Sequence, residues 1–243
     1  MDSYFNSANS YGFSFGFINH FFDADRSQSV NDLAKALKTD QGVPWVNTIA
    51  ADSKGNALYA DISVTPDVTP ARFTECNTPG LGDLAWTAAR VAVFDGTRTT
   101  CDPQKQPGAV VKGILSPSQM PLQIRKDFGS NMNDSYWLSN PAAPLTGFAP
   151  IIGDEGTARA LRTRNGLVQI EQQLAGGGKF DLARVQQFIT NNRNYSAELL
   201  LPEDDDAHGN IQASDKLWAA VKTVIVADFV MSLDNVIGIA GAA

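Results

Sequence analysis

From Thr65 to Pro150 the chain shows no helical or alternating apolar period that lasts. This stretch carries many of the chain's prolines and long polar runs, and its apolar runs are brief, as at Arg90-Val-Ala-Val-Phe94. Proline and glycine interrupt both kinds of backbone ladder, so loop-dominated structure with short strands is expected. A compact domain rarely holds so long an irregular segment unless it shapes a binding site or belongs to a larger protein. The flanking segments must therefore supply the regular scaffold.

Between Arg26 and Lys38, Val30, Leu33, Ala34 and Leu37 recur at helical spacing with Asp32 and Lys35 opposite, which predicts an amphipathic surface helix. Val43-Pro-Trp-Val-Asn-Thr-Ile-Ala-Ala-Asp52 and Ala57-Leu-Tyr-Ala-Asp-Ile-Ser-Val64 are β-rich runs either side of Ser-Lys-Gly-Asn56, the pattern of a hairpin. Alternation in the second run puts Leu58, Ala60, Ile62 and Val64 on one face, expected to be core, and Tyr59, Asp61 and Ser63 on the other. Helical patterning resumes from Thr157 to Leu174, with Leu161, Leu167, Ile170 and Leu174 as its apolar set, and Gly176-Gly-Gly178 stops it. Those glycines follow a helix and open none, so they read as a stop and linker and not as a phosphate cradle. Asp181 is placed to cap a further helix whose Leu182, Val185, Phe188 and Ile189 are expected to face inward.

The C-terminal stretch belongs to a different solvent regime. Pro202 to Asn210 is a solvated acidic run, and Leu217 to Ala243 is almost wholly apolar, broken by Lys222, Asp228 and Asp234. Val224 to Ala243 approaches the ~20 residues of a bilayer span, and two carboxylates inside it demand a protein interior or an ion path. Charge divides the same way: residues 199–243 hold seven acids against two bases, a net −5 of the whole chain's −7. That balance excludes the electrostatic footprint of a nucleic-acid binder. A hydrophobic content of 43% over 243 residues excludes general disorder. Met1 to Phe22 alternates aromatics with Asn and Ser and lacks both the basic start and the apolar run of a secretory signal.

Common catalytic signatures are missing: no GxSxG, HExxH, Walker A or GxGxxG occurs. His20, beside Phe21 and Phe22, is expected in an aromatic cluster, and His208 lies in the acidic run; neither has a triad partner. Cys76 and Cys101 lack zinc-site spacing, and they either bridge the Pro-, Gly- and Thr-rich segment between them or stay as buried thiols. The densest unusual string is Gly129-Ser-Asn-Met-Asn-Asp-Ser-Tyr-Trp-Leu-Ser-Asn-Pro141. Asn side chains donate N–H groups without charge, which suits an oxyanion site. Turn capping by Asn and Asp accounts for the same residues.

That string, with Gln41-Gly-Val-Pro-Trp-Val-Asn-Thr-Ile-Ala-Ala-Asp52, Gly55-Asn-Ala-Leu-Tyr-Ala-Asp-Ile-Ser63, Leu145-Thr-Gly-Phe148, Gly153-Asp-Glu155 and Arg159-Ala-Leu-Arg-Thr-Arg164, resembles the penicillin acylase family, nearest its aculeacin and acyl-homoserine-lactone acylase branch. The resemblance spans residues 21–199 in consistent order. It implies an α+β fold, part of the four-layer αββα sandwich of N-terminal-nucleophile hydrolases, with residues 1–198 an incomplete segment of the large chain. It implies hydrolysis of acyl amides with no cofactor, in a periplasmic or secreted enzyme, by an N-terminal Ser whose own amine is the base. In the family's pattern the oxyanion is held by a backbone N–H and by an Asn two residues before a Ser. That position is Asn133, with Asn131 before it and Ser135 after. Arg159 matches an arginine that braces the site, and Asn131 and Trp137 are the binding residues implied. The resemblance also implies a Cys76–Cys101 disulfide. The nucleophile and most of the acyl pocket lie upstream of the matched segment, so this chain alone is expected to be inactive, with the remainder of the precursor as its partner.

Residues 199–243 resemble something else, the TerC family of integral membrane proteins, through Leu199-Leu-Leu-Pro-Glu-Asp-Asp-Asp206, Ala213-Ser-Asp-Lys-Leu-Trp-Ala-Ala220 and above all Asp228-Phe-Val-Met-Ser-Leu-Asp-Asn-Val236. This implies membrane contact through one C-terminal apolar helix and cation coordination by Asp228 and Asp234, which are hard oxygen ligands. The two resemblances meet at Glu198-Leu-Leu-Leu-Pro202, the expected seam of a chimera.

Overall fold

A computed structural model of the chain describes residues 15–44, 46–177 and 180–200. These residues are α+β, with seven α-helices and one three-stranded sheet. Helix α1 (Phe15–Asp25) packs on α2 (Val30–Asp40). Ser29 sets the start of α2: its backbone is extended and its Oγ accepts the Asp32 N–H at 3.2 Å, so the helix opens at Val30 and not at Arg26. Val30, Ala34 and Leu37 are buried along the face their spacing predicts. The C-cap, Gln41, is left-handed (φ 45°) and fully buried, and its side chain donates to the Leu115 carbonyl (2.6 Å) and accepts the Val110 N–H (3.3 Å). Gly42 follows at a point where any Cβ would strike Gly16 and His20, so α1 closes over this turn only because the residue is glycine. His20 is buried edge-on to Phe21, and burial holds its imidazole below the usual histidine pKa.

The hairpin forms with shorter ladders than its β-rich runs. Strand β1 (Thr48–Ala51) pairs antiparallel with β2 (Ala57–Ala60), Ile49 opposite Tyr59. Asp52 closes the turn by accepting the N–H groups of Lys54 and Asn56 and the Asn56 side-chain amide, which bring its carboxyl down to about 2. Strand β3 (Leu122–Arg125) pairs with the other edge of β2, giving the order β1-β2-β3. Leu58, Ala60 and Ile62 join Val30, Leu37 and Leu115 in the core. The other face of the second run is buried as well: Tyr59 is only 1% exposed, with Gly129 lying against it, and its hydroxyl donates to Asn47 Oδ1 at 2.7 Å. The central strand is covered on both faces.

Between Thr65 and Pro150 the chain is largely irregular, yet it holds two helices that no long apolar period announces: α3 (Pro70–Cys76) and α4 (Leu81–Ala89). Thr69 caps α3, its hydroxyl accepting the Arg72 N–H at 3.3 Å, and Pro70 occupies the first turn, where a missing N–H costs nothing. Arg90 to Phe94 is not a strand; one bridge joins Phe94 to Asn77. A disulfide links Cys76, at the end of α3, to Cys101.

Helices α5 (Leu161–Ala175), α6 (Leu182–Thr190) and α7 (Tyr195–Leu200) follow. Asp181 caps α6, its carboxylate accepting the Arg184 N–H at 2.8 Å. The inward face expected of α6 is corrected in part: Leu182 is 74% and Val185 43% exposed, while Phe188 is half-buried against the Phe180 ring. The chain divides into two units, Met1–Tyr195 and Ser196–Ala243. No helix among the described residues is long and apolar enough to cross a membrane. The apolar helix expected at 224–243, with Asp228 and Asp234, and His208 lie outside the described residues.

Candidate functional site

The Asn-rich string forms a loop pinned at its base. Ser130 donates to the Ser139 carbonyl through both its N–H and its hydroxyl, each at 2.9 Å. Asn140, fully buried, donates to the Phe128 carbonyl (2.9 Å) and accepts the Ala142 N–H (2.9 Å). Gln123 of β3 donates to Ser139 Oγ, which ties the loop to the sheet edge. A short 3-10 turn at Tyr136–Leu138 carries the two aromatics.

Asn133 stands at the tip in the left-handed conformation, φ 54°. The Asn131 side-chain oxygen accepts the Asn133 N–H at 3.0 Å, so Asn131 caps a turn. Arg162 donates to the Asn133 carbonyl at 3.1 Å. With its backbone held at both ends, the exposed Asn133 side-chain amide makes no hydrogen bond to the described residues and is free to donate outward.

Asp134 next to it points the other way. Its carboxylate accepts Arg159 Nη1 at 2.9 Å, Thr163 Oγ1 at 2.6 Å and the Ser135 N–H at 2.8 Å. Burial pushes this carboxyl up, but the bonds from Thr163, Ser135 and Ala160 and the charge of Arg159 outweigh it and hold it below the usual range. Arg159 is 8% exposed in its side chain and also lies over the Trp137 ring, 5.7 Å from the centroid. Arg159 thus reaches the loop through Asp134 and Trp137.

A second clamp lies behind the aromatics. Tyr136 is buried; its hydroxyl donates to Glu155, whose carboxylate also accepts the Gly147 and Phe148 N–H groups at 3.0 Å each. Tyr136 meets Phe148 edge-on at 5.2 Å, and Phe148 lines a cleft of about 300 Å³ with Thr69, Leu115 and Gln119. Ser135 Oγ donates to the Asp154 carbonyl at 2.7 Å.

The structure therefore gathers Asn131, Asn133, Trp137 and Arg159, and adds Asp134, Arg162, Thr163 and Glu155, which pattern reading did not single out. Glu155 stands in the Gly153-Asp-Glu155 motif, and Asp134 stands inside the string itself; these were the available signals. Cys76 and Cys101 sit in the α3 excursion. Among the described residues no cluster of His, Cys, Asp and Glu is arranged to hold a metal.

The family model described as penicillin amidase matches residues 14–231. The chain belongs to the penicillin amidase family. The match includes the whole Asn-rich loop and the helix that anchors it. Aculeacin-A acylase of Actinoplanes utahensis is 45% identical over 180 residues, which are 72% of this chain and 23% of that protein. Acyl-homoserine lactone acylase PvdQ of Pseudomonas fluorescens (strain Pf0-1) is 35% identical over 186 residues, 76% of this chain and 23% of that protein. The chain thus spans about a quarter of the length of these penicillin amidase relatives. A short stretch of 45 residues, 18% of the chain, is 49% identical to the uncharacterized membrane protein YjbE of Bacillus subtilis (strain 168), covering 20% of it.

Proposed function

We propose that residues 1–198 are an oxyanion-binding segment of the nucleophile-bearing chain of an acyl-amide hydrolase, part of a four-layer αββα fold. The observation that carries this reading is Asn133: its backbone is fixed by Asn131 and Arg162 while its side-chain amide is left to donate outward. An uncharged donor held in place stabilises a tetrahedral oxyanion without reorganising during reaction. Arg159 supports it, Asn131 and Trp137 shape its surroundings, and the names of the relatives, aculeacin-A and acyl-homoserine lactone acylases, suggest an acyl amide as substrate. The nucleophile comes from the remainder of the precursor, and the Cys76–Cys101 disulfide suits a periplasmic or secreted setting.

The test is complementation. The chain alone is expected to leave a chromogenic acyl amide intact. Supplied with the part of aculeacin-A acylase that it does not match, it restores turnover, and Asn133→Ala removes about 10²–10³-fold of kcat. Turnover by the chain alone, or full turnover with Asn133→Ala, overturns the reading.

A second reading applies to residues 199–243 alone. The short similarity to a membrane protein supports a TerC-like piece that contacts membrane and binds a divalent cation through Asp228 and Asp234. Fractionation of the chain to the soluble phase with no cation uptake on titration overturns it.

A further inference from the structure

We propose that Asp134 is a positioning residue that locks the Asn133 turn to the start of helix α5, so that one carboxylate sets where the Asn133 amide points. The inference rests on the reading of Asn133 as an oxyanion donor and adds how that donor is aimed.

The helix supplies the first half of the argument. Helix α5 is fifteen residues long, and its N-cap residue, Ala160, has no side chain able to cap it. The first N–H groups of a helix need acceptors, and the N-terminus favours negative charge. Asp134, 26 residues earlier, brings negative charge to this end: its carboxylate accepts the hydroxyl of Thr163, in the first turn, and pairs with Arg159 just before the helix. Thr163 is buried and Asp134 is 20% exposed in its side chain, so water competes weakly for these bonds.

The turn supplies the second half. Asp134 directly follows Asn133, and its own carboxylate accepts the next N–H, that of Ser135. Rotation of the Asn133 backbone out of the left-handed region would swing Asp134 away from α5 and break its contacts with Arg159 and Thr163 together. Arg162 of the same helical turn holds the Asn133 carbonyl. Arg159 and Arg162 are the charged groups that face this pair, both from the α5 side. One turn further along the same face, α5 takes Met132 against Gly166, where a Cβ would collide with the Met132 side chain, so the residues on both sides of Asn133 are seated on the helix. The helix is thereby the rigid reference, and Asp134 is the link through which it fixes the donor.

Amide exchange and amide NMR on the 243-residue chain test this. Asp134→Asn is expected to speed exchange of the Asn133 and Ser135 N–H groups about tenfold or more, with Leu58 to Ala60 unchanged. Acid titration is expected to move the Asn133 amide resonance in the unsubstituted chain and not in Asp134→Asn. Thr163→Ser keeps the hydroxyl and is expected to behave as the unsubstituted chain, whereas Thr163→Val loosens the turn; this pair decides the matter if Asp134→Asn fails to fold. In the complemented enzyme Asp134→Asn is expected to lower kcat about tenfold to hundredfold with KM nearly unchanged. Unchanged exchange at Asn133, or an equal rise across Leu58 to Ala60, overturns the positioning role. Full turnover with Asn133→Ala overturns the parent reading instead, so the two failures are told apart.

Discussion

A left-handed backbone suits asparagine better than most residues other than glycine, and Asn133 sits there at φ 54°. Its backbone and side-chain roles are therefore separable by substitution. Asn133→Gly removes the amide but relieves the backbone, so it is expected to unfold within about 0.5 kcal/mol of the unsubstituted chain, while Asn133→Ala loses about 1 kcal/mol in denaturant melts. Both are expected to abolish the oxyanion contribution in the complemented enzyme; retention of turnover by the glycine variant overturns the donor role. Asp61, one residue past β2, makes a second test at this scale. Burial pushes its carboxyl up to about 6, and its charge acts on Tyr59 and Tyr136. A folded-state pKa above the unfolded one means that the folded chain keeps a proton the unfolded chain has lost, so stability falls as pH rises from about 4 to about 6. Asp61→Asn is expected to remove that slope and to gain about 1–3 kcal/mol at pH 7. Calorimetric melts at pH 4, 5, 6 and 7 check it, and an unchanged slope overturns the assignment. At this scale the sequence was legible in part. The family pattern marked Asn133 and Arg159, but Asp134 looked like one more turn residue, because its partners Arg159 and Thr163 lie 25 and 29 residues away.

Local chemistry that writes itself into the chain was readable among the elements. The spacing of Val30, Ala34 and Leu37 located α2, and Asp181 located the start of α6. Helices α3 and α4 escaped pattern reading because they have only seven and nine residues, too short for an apolar period to repeat. The Thr69-Pro70 pair is the one local signal from which α3 could have been read, since a capping hydroxyl followed by proline is a helix start. So short a helix draws little stability from its own ladder and depends on what ties it down. For α3 the ties are the disulfide to Cys101 and Arg72, which donates to the Cys101 and Asp102 carbonyls at 3.3 and 3.0 Å and faces the buried Asp67. Cys76→Ser together with Cys101→Ser reopens a span of 25 residues and is expected to cost about 3 kcal/mol through the unfolded state. Proteolysis of that variant is expected to begin between Cys76 and Cys101, with the β1-β2-β3 sheet cut later. Cleavage that starts in the sheet overturns the view of the excursion as a separately tethered piece.

Large apolar side chains are left uncovered at several separate places across the molecule: Ile49 on the edge strand β1 is 55% exposed, Leu84 on α4 67% and Leu182 on α6 74%. Isolated exposures of this kind are ordinary, but a helix stripe and a sheet edge with no cover are surfaces that proteins usually bury. The chain spans 23% of the length of its acylase relatives, and sequence periodicity names the apolar face of a helix without naming what covers it. That is why the inward reading of Leu182 and Val185 followed correctly from pattern and still failed in the structure. If these side chains wait for the remainder of the precursor, polar replacements should leave the chain's own stability intact and harm only assembly. Leu182→Glu with Val185→Gln is expected to shift Tm by less than about 2 °C, since glutamate in the first turn also suits the helix dipole. The same variant is expected to bind less of a hydrophobic dye and to weaken complementation by the rest of aculeacin-A acylase. A fall in Tm of more than about 5 °C would place the stripe in a core of the chain's own and remove this account of its exposure.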